Sequence, residues 1–145
     1  MWAKNYLMQA RYIDKEINLM QLELDQMREL LTSPKTATIK GDVVQEGRKG
    51  YYDDKYNKLI VLNEEISHKI DEFIDLKNTM RRQIEKIEDP RYRLVLTSRY
   101  INCIKDWDNI AQDLAYSEKY IFELHGQALI EFEKVNSLPN LTESY

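Results

Sequence analysis

Asp106 to Phe132 reads DWDNIAQDLAYSEKYIFELHGQALIEF, and its apolar spacing decides how the C-terminal part of the chain folds. Ile110, Ala111 and Leu114 give one short helix an inward face. Ala115 and Tyr116 fall at a turn, and Ser117 is placed to cap a second helix whose inward face is Ile121, Leu124 and Ala128. Two helices joined by so short a turn cross closely only where a small residue sits at the crossing, and Ala111 supplies it. This is the pattern of a helix-turn-helix, in which the outward face of the second helix is free to enter a major groove.

At about 100° per residue, that outward direction falls on Lys119, Glu123, Gly126 and Ile130. A lysine can pair with guanine O6 and N7, and a glutamate can accept from the cytosine N4 amine. Ser117, Tyr120 and Gln127 complete the expected DNA-facing set on this helix, and Arg91, Arg93, Arg99 and Lys105 are the cations available to phosphates. Gly126 would let the backbone come close to a phosphate. The competing reading is a helix-turn-helix that only packs, with a solvated outer face. Glu118 has a simpler role in the first turn, where a negative charge suits the helix dipole. His125 reads as a surface or edge histidine and Trp107 as an anchor of the small core.

Upstream, Asp89-Pro90 marks a boundary, because proline cannot continue the preceding helix while Asp at the cap and Pro at the first position start a new one. A third helix is expected over 90–102, with Asp106 capping the fourth and Ser117 the fifth. Before the boundary, Leu59, Ile66, Phe73, Met80 and Ile87 recur by sevens and predict a long helix over 53–88. Tyr6, Ala10, Ile13, Ile17, Met20, Leu24, Met27 and Leu31 alternate steps of four and three over 3–31, a coiled-coil seam. The simplest packing of the two is an antiparallel hairpin; the alternative pairs each seam with another copy. Ile13, Ile17, Leu24, Leu59, Ile66, Phe73 and Met80 are then the expected oligomer contacts. Residues 32–52, with Pro34 and three of the four glycines, read as a flexible loop, and 136–145 as a disordered tail. The expected fold is therefore all-α, with a helical hairpin at 1–88 and a helix-turn-helix module at 89–135.

Composition limits the function. The net charge is −4, and neither half is basic: residues 1–89 hold 15 cations against 17 acids, and 90–145 hold 6 against 8. DNA binding must therefore rest on a local patch or on a partner. Cys103 is the only cysteine, which excludes an internal disulfide and a cysteine zinc cluster. His68 and His125 have no carboxylate cluster at metal spacing, so no metal or other cofactor is expected. No nucleophile elbow, phosphate loop or catalytic carboxylate pair stands out, and an enzyme is not expected. No apolar run approaches about 18 residues, so neither a signal peptide nor a membrane partner is expected, and the cytoplasm is the expected location.

From Asp89 onward the chain resembles region 4 of bacterial sigma factors. The resemblance runs through Tyr92-Arg93-Leu94, Arg99-Tyr100, Trp107-x-x-Ile110-Ala111, Leu114-Ala115-Tyr116-Ser117, Tyr120-Ile121 and His125-x-x-Ala128-Leu129. With ARYIDKEIN (10–18) and the central helices, the whole chain looks like a phage and prophage family of Gram-positive bacteria similar to ArpU-type late transcriptional regulators. The resemblance implies a regulator of phage late genes that binds double-stranded DNA as a homo-oligomer, with RNA polymerase as a further partner. It departs at the base-reading positions. Glu118, Lys119 and Glu123 stand where the sigma pattern has Arg, Glu and Gln, and Phe122 where an Arg meets phosphate. The framework is kept and the promoter-reading chemistry is not. Two rivals share the same elements: a small-terminase-like packaging component, and a protein–protein adaptor with a degenerate helix-turn-helix.

Overall fold

A computed structural model describes residues 1–32 and 46–137. Every regular element among them is helical: α1 (Ala3–Thr32), α2 (Glu46–Glu85), α3 (Pro90–Leu96), a π-helical turn (Thr97–Ile101), α4 (Trp107–Leu114) and α5 (Glu118–Val135). None of these helices is long and apolar enough to cross a membrane. The chain divides into two compact units, one of Met1–Asp14 with residues from Phe73 onward and one of Lys15–Glu72.

In the first unit, one apolar cluster joins the start of α1 to everything after Phe73. Ala3, Leu7 and Ala10 repeat by four and three on α1, and Met80 and Ile84 on α2 with Ile87 just after it do the same. Both rows are buried in the same cluster as Leu96, Ile110, Ile121, Leu124 and Phe132. Trp2 meets the Phe132 ring edge-on at 5.8 Å, and the Tyr6 hydroxyl donates to Gln83 Oε1 at 2.6 Å. The first N–H of α1, on Ala3, has no partner inside its own helix and donates to Glu133 Oε1 at 2.9 Å. That carboxylate also sits favourably at the positive end of the helix dipole.

The expected division lies at residue 88/89, whereas the compact units part within α1 and α2, after Asp14 and Glu72. The opening turns of α1 belong to the C-terminal core because their apolar row is completed by α5 and the end of α2. A linear reading could not connect residues so far apart. The link between α2 and α3 is held from the next element: Arg93 Nη1 donates to the carbonyls of Ile87 at 2.6 Å and Glu88 at 2.8 Å.

In the second unit, Ile17, Leu24 and Ile66 are buried. Glu16 pairs with Lys69 at 3.1 Å, whereas Glu23 and Met27 line a depression with Lys58 and Leu62. Partners on α2 thus descend in number as those on α1 rise. The expected oligomer contacts are largely spent within one chain. Ile17, Leu24, Ile66 and Met80 are buried there, and Ile13, Leu59 and Phe73 are half-buried. Apolar side chains left exposed lie off these rows, among them Leu19, Leu30, Ile60, Val61 and Ile74.

Three boundaries differ from expectation. Helix α2 begins at Glu46, seven residues before the predicted start, and residues 33–45 of the expected loop lie outside the described residues. The third helix stops being α-helical after Leu96 and continues as the π turn. Asn136, placed in the tail by sequence, is buried and donates from Nδ2 to the carbonyls of Gln83 at 3.2 Å and Phe132 at 3.1 Å. The rest of the tail beyond Ser137 lies outside the described residues.

Candidate nucleic-acid interface

The turn between α4 and α5 is built as its sequence requires. Ala115 takes the left-handed conformation (φ 61°, ψ 41°) that ends α4. The Tyr116 N–H donates to Ala111 O at 2.9 Å and the Ala115 N–H to Gln112 O at 3.1 Å, the paired bonds of a Schellman cap. Ser117 is extended, and its Oγ accepts from the Tyr120 N–H at 3.1 Å, so α5 starts where the cap was expected. Asp106 occupies the cap position of α4 without a side-chain hydrogen bond. Asp89 does cap α3, accepting from the Arg91 N–H at 2.9 Å, with Pro90 following at the first helical position.

A left-handed alanine carries a steric cost that glycine avoids. Ala115→Gly is expected to stabilise the protein by about 0.5–1 kcal/mol, the left-handed penalty less the added freedom of an unfolded glycine. A urea midpoint that falls in this variant would show that the Ala115 methyl contributes packing that outweighs the strain.

Beneath the turn, Ile110, Ala111, Ile121, Leu124 and Ala128 are all buried, as their spacing predicted. His125 is not at the edge. It is 9% exposed, its Nε2 lies 2.7 Å from the Tyr100 hydroxyl, and Trp107 stacks edge-on against its ring at 4.7 Å. Burial first, then the charges of Arg99 and Lys4, push its pKa down from 6.5 to about 4, so the ring is neutral inside the fold. Burial also pushes the Tyr100 hydroxyl up to about 12. Sequence reasoning missed this pair because the two residues are 25 positions apart and meet only through the packing of the π turn on α5.

The expected DNA-facing residues separate into two groups. Lys119 and Glu123 on α5 are exposed, as is Lys105 before α4. Gln127 is exposed too, but its Oε1 accepts from the Tyr92 hydroxyl at 3.2 Å. A Cβ added to Gly126 would meet nothing within 4 Å, so its lack of a side chain serves no packing inside the chain. The remaining residues are engaged in the fold. Tyr120 is half-buried, and its hydroxyl accepts from Arg91 Nη1 at 2.8 Å. Arg91 also binds Asp89 at 2.7 Å, and that guanidinium holds the Asp89 carboxyl below its usual range. Arg93 holds the link between α2 and α3. Arg99 lies 4.3 Å over the Trp107 ring, and its Nη1 donates to Lys105 O at 2.7 Å and Ile104 O at 3.3 Å.

Arg93 and Arg99, expected to serve phosphates, donate here to backbone carbonyls of the segments before α3 and before α4. Arg11 joins this arrangement from α1, donating to the carbonyls of Arg99 at 2.9 Å and Ile104 at 3.0 Å. No sequence signal linked Arg11 to the helix-turn-helix, since its partners are main-chain groups that any residue offers. Cys103 is half-buried with a left-handed backbone (φ 54°), and burial raises its thiol pKa, which suits a structural thiol.

A family model described as "Protein of unknown function (DUF1492)" matches residues 30–133, a span that includes α2 and the whole turn from α4 into α5. No curated protein and no solved structure matches the chain.

Proposed function

Since the chain belongs to the DUF1492 family of proteins of unknown function, we propose from its own residues that it is a DNA-binding regulator of transcription. In this reading α4 and α5 form a helix-turn-helix, and the paired stretches of α1 and α2 form an antiparallel hairpin that carries it. The observation that supports the reading best is the capped turn, which leaves Lys119 and Glu123 exposed near the start of α5. Those two side chains have the chemistry to read a guanine and a cytosine in the major groove. Regulation of phage late genes, and RNA polymerase as a partner, follow from the resemblance to ArpU-type regulators and sigma region 4.

Binding site selection at low salt, with the wild type and Glu123→Gln, tests this. The wild type is expected to enrich a defined sequence, and the variant to change the preference at one base pair by about 1–3 kcal/mol. If the wild type enriches nothing, or both enrich the same sequence, α5 does not read bases through Glu123.

One observation favours a second reading, an adaptor that uses the same face to bind protein. Arg91, Arg93 and Arg99 make hydrogen bonds within the fold, while Phe122 and Ile130 are nearly half exposed on α5. Absence of binding to any duplex at low salt would select the adaptor.

A further inference from the structure

The second unit is more acidic than the first. The second unit, Lys15–Glu72, holds 12 carboxylates against nine cations, a net charge of −3 where the whole chain carries −4. In this unit two adjoining depressions between α1 and α2 share Glu65 and together run from Glu16 and Glu72 to Met27 and Lys58. On α1 the distance from Glu16 to Met27 is about 16 Å, or three helical turns. The groove is lined by apolar side chains: Met20, Met27 and Leu62 along its length, with Leu19 and Val61 standing 58% and 52% exposed.

The cations at the groove are already held. Lys69 is bound to Glu16 at 3.1 Å and Lys58 to Asp54 at 3.4 Å, while His68 lies 3.3 Å from Glu72. Glu23 on α1 and Glu65 on α2 remain exposed on its two sides. Two helices packed side by side bury one seam and leave a groove that a third helix can fill, and methionines let such a surface adapt to its ligand. A second copy of this unit would bring another −3 against it, and like charges across an interface are costly.

We propose that this groove docks a basic amphipathic helix of a partner protein, about three turns long, with apolar side chains at i, i+3 or i+4, and i+7 against Leu19, Met20 and Leu62. Lysines or arginines flanking that apolar stripe meet Glu23 and Glu65. The surface is separate from the proposed DNA-reading face and does not depend on it.

The test uses the full chain and two designed fluorescent peptides of about 15 residues with the same leucine stripe, one flanked by Lys and Arg and one by Glu. In anisotropy titrations the basic peptide is expected to saturate, and the acidic one to bind at least about tenfold more weakly. The double variant Glu23→Lys, Glu65→Lys changes exposed positions only, and circular dichroism checks its helix content. It is expected to weaken the basic peptide about tenfold and to strengthen the acidic one. Glu123→Gln, on α5, should leave both affinities unchanged, which keeps this outcome distinct from that of the DNA experiment. No binding of the basic peptide, equal binding of both, or indifference to the double variant overturns the proposal. So does a wild-type dimer in sedimentation that Leu19→Lys dissociates, which would assign the groove to a second copy.

Discussion

Lowering the pH from about 7.5 to about 4.5 is expected to remove about 2–3 kcal/mol of stability through His125 alone. The sign follows from the direction of its shift. Folding lowers the pKa of this ring from 6.5 to about 4, because it is buried and because the charges of Arg99 and Lys4 oppose a further positive charge. Between those values the unfolded chain binds a proton that the folded chain refuses. The contribution is complete above about pH 6.5 and declines as the pH falls toward 4. Urea unfolding at a series of pH values measures it, and His125→Phe, which cannot titrate, should flatten that window whatever its own stability. A parallel loss of stability in wild type and variant would place the effect on other groups. An NMR titration of the His125 ring gives a second reading, since a midpoint near 6.5 in the folded protein would show that the ring is not held neutral.

Arg99→Ala is expected to destabilise the fold by about 2–3 kcal/mol, the sum of charged hydrogen bonds to backbone carbonyls and the contact with an indole face. The bonds at stake are those to Ile104 O and Lys105 O, with the guanidinium over Trp107, whose ring in turn packs on His125. Arg99→Lys should restore little, because an ammonium cannot stack flat on the ring while donating to the carbonyls. In DNA-binding measurements the salt dependence should stay unchanged in Arg99→Ala once the fraction of folded protein is accounted for. A salt slope lower by about one with stability intact would instead make Arg99 a phosphate contact.

These two expectations show where reading the sequence stopped. The helical class, the long α1, the caps Asp89 and Ser117, and the inward faces of α4 and α5 were legible, because each depends on spacing within a few residues. Lys119 and Glu123 could be placed on the outer face by the same periodicity. The bonds of Arg93 and Arg99 within the fold could not be read, since their partners are carbonyls of connecting segments, and a carbonyl has no sequence signature. His125 failed for a related reason. One histidine on a mostly apolar helix fits an edge or a buried site equally well, and the Tyr100 hydroxyl that satisfies it comes from another element.

Periodicity by itself determined that this chain is helical, where α4 and α5 begin, and which of their faces turns inward, because backbone hydrogen bonding and side-chain spacing act over one or two turns. Only the tertiary structure decided that the first turns of α1 share a core with α5. It also decided that Ile17, Leu24, Ile66 and Met80 are buried within one chain and that Arg93 and Arg99 donate to backbone carbonyls. Those outcomes depend on which distant surfaces meet, and burial rewards any apolar partner that arrives with the right shape, so a one-dimensional pattern cannot choose among them.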